Sequence, residues 1–180
     1  MRFRHSASFG KRQEFGAIAE LLRRGYDVYV TLVDDQGIDC IVRQGPRRYF
    51  DVQIKARSAD VVPKNAGFFP QLKITQPRSN YVFVLYAEGI GPRGTYWVIP
   101  STHLARSGFG LTIKSGPRKG LFRIRVNNDL RIRPKYAAYV DAWEPAFGKP
   151  PKPRPDLAKQ DANRRRAIAG KRMPDGRKPQ

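Results

Sequence analysis

The 180-residue chain carries 35 Lys and Arg against 15 Asp and Glu, a formal net charge of +20. A field of that sign favours a polyanionic partner, and nucleic acid before an anionic membrane, because phosphate neutralisation releases condensed counterions whereas membrane docking needs an amphipathic basic helix or a lipid signal. A hydrophobic content of 40% excludes wholesale disorder, the longest apolar run, Tyr81 to Ala87, is too short to span a bilayer, and the N-terminus lacks an apolar signal region, so a cytoplasmic location without membrane contact is expected.

In chain order, Phe15, Ile18, Ala19, Leu21 and Leu22 fall near the spacing of an amphipathic helix from about Gly10 to Arg24, with Ser6 or Ser8 as N-cap and Gly25 as C-cap. Tyr26 to Leu32 is rich in aromatic and β-branched residues and reads as a strand, followed by turn chemistry at Asp34 to Gly37. Gly37 to Arg43 and Tyr49 to Ala56 read as a second and third strand joined by a Gly-Pro turn with Arg47 and Arg48. Cys40, the single cysteine, alternates with Ile38 and Val42 and is expected to be a buried small hydrophobe.

Pro63 to Pro70 reads as a loop, and Phe68 and Phe69 in it, with Lys64 and Lys73 nearby, are either nucleic-acid contacts or aromatics tucked onto the core. Tyr81 to Tyr86 and Thr95 to Pro100 are two more strands, joined by a Gly-rich turn without the Lys-Ser/Thr of a P-loop. Ser101 is expected to cap a short helical turn. Two alternating segments come next, with Arg123 and Arg125 on the face opposite Phe122, Ile124 and Val126, and Tyr136 to Trp143 reads as a closing helix. His5 and His103 lack ligand spacing and read as surface or capping residues.

Composition changes after Phe147. Residues 148–180 hold 11 Lys and Arg against three Asp and open with a Pro-rich run, which cannot build a core. This basic tail, with Arg164, Arg165 and Arg166 in a row, is expected to be disordered until it meets phosphate.

The residues that carry chemistry lie before Ala56. Alternation puts Gln53 and Lys55 on one face of the third strand, antiparallel pairing can bring Asp39 beside Gln53, and Glu14 sits one position before the apolar stripe of the helix, where it can be directed to the strand ends. Two oxygen ligands with a backbone carbonyl such as that of Ile54 suit a hard cation such as Mg²⁺, and a lysine two residues along can orient an attacking water or stabilise transition-state charge. Such a set is suited to phosphodiester hydrolysis.

At these residues the chain resembles the PD-(D/E)xK nuclease superfamily, in particular its Holliday junction resolvase-like and restriction-endonuclease-like branches. Glu14 matches the family's helical Glu, which precedes a Leu-rich stretch ending in Gly and an aliphatic strand, as in ELLRRGYDVYV; Asp39 in GIDCIV matches the metal-binding Asp, and Gln53-Ile54-Lys55 matches the (D/E)xK element. The resemblance covers about residues 10–57. Gln53 stands where the family usually has an acid, as in its QxK branches, leaving the site one negative charge short; Asp51 or Asp35 are candidates for the missing carboxylate.

The resemblance implies an α/β fold, a central mixed β-sheet flanked by helices, over residues 1–147, with the tail at 148–180. It implies a metal-dependent DNA endonuclease in which Glu14, Asp39 and Gln53 bind Mg²⁺ or Mn²⁺ and Lys55 serves the chemistry. DNA is the expected partner, with RNA as the other polyanion and a second copy of the chain as a further partner; Arg47, Arg48, Lys64, Lys73, Arg164, Arg165 and Arg166 are candidate phosphate contacts. The alternative is a non-catalytic basic nucleic-acid-binding protein with a decayed nuclease fold.

Overall fold

A computed structural model describes residues 3–33, 36–74, 77–106 and 108–151, with side chains from residue 7 onward. Asp35, the His5 side chain and the tail with Arg164, Arg165 and Arg166 lie outside the described residues. Residues Met1–Pro150 form one compact unit.

Helix α1 spans Phe3–Arg23, so it begins before Gly10 and the expected caps Ser6 and Ser8 lie inside it. Its end follows the sequence closely. Gly25 adopts φ +86°, its N–H donates to the Leu22 carbonyl at 2.9 Å and Tyr26 N–H donates to Leu21 at 3.1 Å, the paired bonds of a Schellman motif. The buried stripe is rotated from the expected one: Ala17, Ile18 and Leu21 are buried, whereas Phe15 and Leu22 are more than half exposed. Glu14, three and four residues before Ala17 and Ile18, therefore belongs to the buried stripe itself, with its side chain only 14% exposed.

Strands β1 (Asp27–Val30), β2 (Cys40–Arg43) and β3 (Tyr49–Arg57) form an antiparallel meander, with Val30 opposite Cys40 and Cys40 opposite Val52. After β4 (Phe68–Leu72), strand β5 (Tyr81–Ala87) pairs parallel with β3, and β6 (Thr95–Pro100) pairs antiparallel with β5, giving a mixed five-stranded sheet of order β1-β2-β3-β5-β6. A parallel pair needs a crossover. Here residues 58–80 supply it with a 3₁₀ turn at Pro63–Asn65 and β4, where a loop was expected.

Every residue of β5 is buried, which explains its uninterrupted apolar sequence: both faces of the sheet are covered. On one face α1 and α4 (Trp143–Phe147) pack over Cys40, Val42, Phe50, Val52 and Ile54. On the other, a small sheet of order β4-β8-β7, from β7 (Leu111–Thr112) and β8 (Phe122–Arg125), covers Phe83, Leu85, Trp97 and Ile99 together with α2 (Ser101–Leu104) and α3 (Pro134–Ala137). A two-stranded ribbon, β9 (Asn127–Asn128) and β10 (Arg131–Ile132), precedes α3. The single closing helix expected over Tyr136 to Trp143 is thus two short helices, separated by Asp141 at φ +48°.

Ser101 is not a cap. It is fully buried, its hydroxyl donates to the Arg78 carbonyl at 2.9 Å and accepts from Arg78 N–H at 3.0 Å, and so it pins the segment entering β5. Beyond Phe147, the Gly148 carbonyl accepts from the Tyr26 hydroxyl at 2.7 Å and the Lys149 carbonyl accepts from Gln44 Nε2.

Candidate functional site

Because side chains alternate along β3, Asp51, Gln53, Lys55 and Arg57 share one face, and the parallel register aligns Gln53 with Phe83 and Lys55 with Leu85 of β5. The ladder between β2 and β3 closes at Cys40 opposite Val52, so Gln53 through Arg57 run past the end of β2. Asp39 fills that step. Its N–H donates to the Val52 carbonyl at 2.9 Å, and its own Oδ2 accepts the Ile54 N–H at 2.6 Å, standing in for the carbonyl that a longer β2 would have offered. The carboxylate is consequently held rigidly, and Asp39 is only 7% exposed. Thr31 secures the loop before it by donating its hydroxyl to the Ile38 carbonyl at 2.7 Å.

Gln53 is 3% exposed and its Oε1 has no hydrogen-bond partner. A buried amide oxygen without a donor costs roughly 1–3 kcal/mol, and a bound cation or water at this strand end would satisfy it. Gly37 closes over the same side chain: a Cβ there would lie 2.3 Å from Gln53 Nε2, and the backbone is at φ +76°, a conformation that favours glycine. The Tyr81 hydroxyl donates to the Gly37 carbonyl at 3.2 Å and holds this lid in place.

Glu14 approaches from the α1 side. Its carboxylate accepts from Lys11 Nζ at 2.6 Å. Burial pushes the Cys40 thiol up to about 12, and the carboxylates of Asp39 and Glu14 contribute to that rise, which puts both acids within electrostatic reach of one sulfur. The thiol stays protonated and inert, and Cys40 is the fully buried hydrophobe expected of it. The structure therefore gathers Asp39, Gln53 and the Ile54 backbone at one strand end, with Lys55 further along the Gln53 face and Glu14 on α1 within electrostatic reach of Cys40. Among the described residues no three His, Cys, Asp or Glu side chains form a cluster; the set is two carboxylates and an amide oxygen. All are hard oxygen donors, and the unpartnered Oε1 fits a role as ligand to a cation such as Mg²⁺.

Asp51 is engaged elsewhere. It forms an ion pair with Arg78, whose guanidinium lies 4.9 Å from the Tyr81 ring centroid. Of the candidate phosphate contacts, Arg47, Arg48, Lys64 and Lys73 are all exposed, with Arg48 stacked 4.8 Å from the Phe50 ring. Phe69 is tucked into the core, while Phe68 is half-buried and carries Arg125 over its ring at 4.6 Å. Two residues that the sequence does not mark as functional matter here. Gly37 shapes the Gln53 pocket, signalled only by turn chemistry shortly before Asp39; Arg57, at the end of the polar face, donates from Nε to the Phe68 carbonyl at 2.6 Å, and desolvation lowers its pKa.

With its mixed five-stranded sheet, a helix before its antiparallel meander and a parallel β3–β5 pair, the chain has the α/β fold of a known nuclease structure. It is similar to a bacterial homing endonuclease, with 18% sequence identity, 85% of this chain and 94% of that chain covered, and a TM-score of 0.51. It also matches Hjc, a Holliday junction resolvase from Archaeoglobus fulgidus, with 18% identity, 64% and 83% coverage and a TM-score of 0.41. No protein-family model and no curated protein matches the chain.

Proposed function

We propose that the chain is a metal-dependent DNA endonuclease that hydrolyses phosphodiester bonds. The observation that carries this reading is the unpartnered Gln53 Oε1 at the strand end where the Asp39 carboxylate is fixed by the Ile54 N–H. A shared fold with a homing endonuclease and the +20 charge support it. Asp39, Gln53 and Glu14, with the Ile54 carbonyl, are the groups that would hold Mg²⁺ or Mn²⁺; when bound, such an ion supplies Lewis-acid polarisation of the scissile phosphate and an acidified water.

The chain's own part is positioning. Asp39 cannot swing, because its carboxylate completes the hydrogen bonding of β3. Gln53 contributes a neutral oxygen, which leaves the site less negative and eases the approach of a phosphodiester. Lys55 offers up to three N–H donors for an attacking water or for the charge that builds on the phosphoryl oxygens.

Cleavage of supercoiled and linear DNA in Mg²⁺ or Mn²⁺ tests this. Asp39→Ala and Lys55→Ala are each expected to lower the rate by about 10²-fold or more; Lys55→Ala should keep the wild-type melting curve, whereas Asp39→Ala should melt lower because the buried Ile54 N–H loses its acceptor. Equal cleavage by wild type and both variants would overturn the assignment. The second reading, a non-catalytic nucleic-acid-binding protein, is favoured by one observation: with Asp51 paired to Arg78, Gln53 has no third acid beside it among the described residues. Salt-sensitive DNA binding without metal-dependent cleavage would select it.

A further inference from the structure

A second concentration of charge lies in a cleft of about 430 Å³ between β8, the loop at Gly108–Gly110 and α3. Arg123, Arg125, Arg133 and Lys135 line it, with Phe68 and Phe109 as apolar walls. None of these four cations has a carboxylate partner among the described residues; the ion pairs found lie on α1 and between Arg78 and Asp51.

The cations are aimed as well as gathered. Arg123 and Arg125 share one face of β8 because Phe122 and Ile124 are buried on the other. Arg125 is held over the Phe68 ring and donates to Asn65 Oδ1 at 3.3 Å; Lys135 donates to the Gly108 carbonyl at 2.7 Å. Positive charge is crowded enough that Arg133, after desolvation, lowers the Lys135 pKa. Folding brings like charges together here without neutralising them, an arrangement that a polyanion relieves.

The cleft also adjoins the candidate site through β4. Lys55 and Arg57 line a neighbouring cleft with Phe69, Pro70 and Leu72, and Arg57 donates to the carbonyl of Phe68, whose ring lies in the cationic cleft. We propose that the Arg123, Arg125, Arg133 and Lys135 cleft is a phosphate-binding subsite that grips the DNA backbone at a distance from the hydrolytic centre. This inference rests on DNA being the substrate, and extends it by assigning a docking surface on the small β4-β8-β7 sheet.

The test is binding of the full chain to a fluorescently labelled 30-base-pair DNA duplex in EDTA, followed by anisotropy across a salt series. The Arg123→Gln/Arg133→Gln variant is expected to bind at least tenfold more weakly at 0.15 M salt, with the log–log salt slope reduced by about 0.9 for each phosphate no longer neutralised. Arg123→Lys/Arg133→Lys should restore most of the slope. Arg93→Gln/Lys119→Gln, which removes the same charge from exposed positions outside the cleft, should change it little. An unchanged slope for the first variant with an intact melting transition, or an equal loss in the Arg93 and Lys119 variant, would overturn the proposal. Two readouts keep this inference distinct from the nuclease reading: cleavage that survives in Asp39→Ala and Lys55→Ala counts against the hydrolytic site, whereas an unchanged salt slope in Arg123→Gln/Arg133→Gln counts against the cleft alone.

Discussion

At the scale of single residues, the site is governed by what surrounds Gln53. Gly37 presents its backbone where any side chain would collide with the Gln53 amide, and it does so at φ +76°. Gly37→Ala therefore carries two penalties, a left-handed backbone of about 1–2 kcal/mol and displacement of the amide. The expected result is a lower melting temperature together with a loss of metal-dependent cleavage of about 10²-fold, the cost of moving a reacting group by about 1 Å, while DNA binding in EDTA is retained. His103 makes a separate case. Its Nδ1 lies 3.1 Å from the Tyr139 hydroxyl, and desolvation, with help from Arg106, lowers its pKa below the usual 6.5. Below pH 6.5 the unfolded chain then binds the proton more readily than the folded one, so stability falls as pH drops through that region. In denaturant titrations between pH 7 and 5, His103→Gln is expected to lose stability less steeply than the wild type.

At the scale of elements, legibility in the sequence depends on how strongly each segment's pattern is tied to burial. The β2–β3 hairpin is legible because alternation and turn residues coincide, and the β5–β6 hairpin because two apolar runs flank a Gly-rich turn; antiparallel pairing of β2 with β3 then brings Asp39 to the Gln53 region, where its N–H donates to the Val52 carbonyl. The stripe of α1 is rotated from the hydrophobic pattern because a partly buried Glu counts as polar in any such pattern: without Glu14 the pattern takes in Phe15 and Leu22, and both are exposed. Pro70, which removes a ladder donor, hides strand β4 in the sequence; among the described residues β4 is an edge strand paired with β8, and its register slips between Phe69 and Leu72, so the proline is tolerated there. Arg78, the partner of Asp51, was beyond reach because 27 residues separate them and the parallel crossover alone brings them together. Only local pairing leaves a local signal.

At the scale of the molecule, positive charge is divided between the unit Met1–Pro150 and residues 151–180, and the two can be separated experimentally. Gly148 and Lys149 belong to the fold by their hydrogen bonds: their carbonyls accept from Tyr26 and Gln44, and Tyr26 also packs on Phe147 at 5.6 Å between ring centroids. A chain ending at Phe147 loses both acceptors and leaves the buried Tyr26 hydroxyl unpaired, which costs about 1–3 kcal/mol. A chain ending at Pro151 keeps them. Urea unfolding should therefore place the 1–151 chain at the full-length midpoint and the 1–147 chain clearly below it. The 1–151 chain also isolates the role of residues 152–180, which hold ten Lys and Arg. If those cations meet phosphate, its log–log salt slope for duplex binding falls by about 0.9 for every phosphate they neutralise in the full chain. If they only keep the protein soluble, the slope is unchanged, and the remaining affinity belongs to the cleft on the small sheet. Cleavage by the 1–151 chain, measured alongside at saturating DNA, should match the full chain in either case, because every group assigned to hydrolysis lies between Glu14 and Lys55.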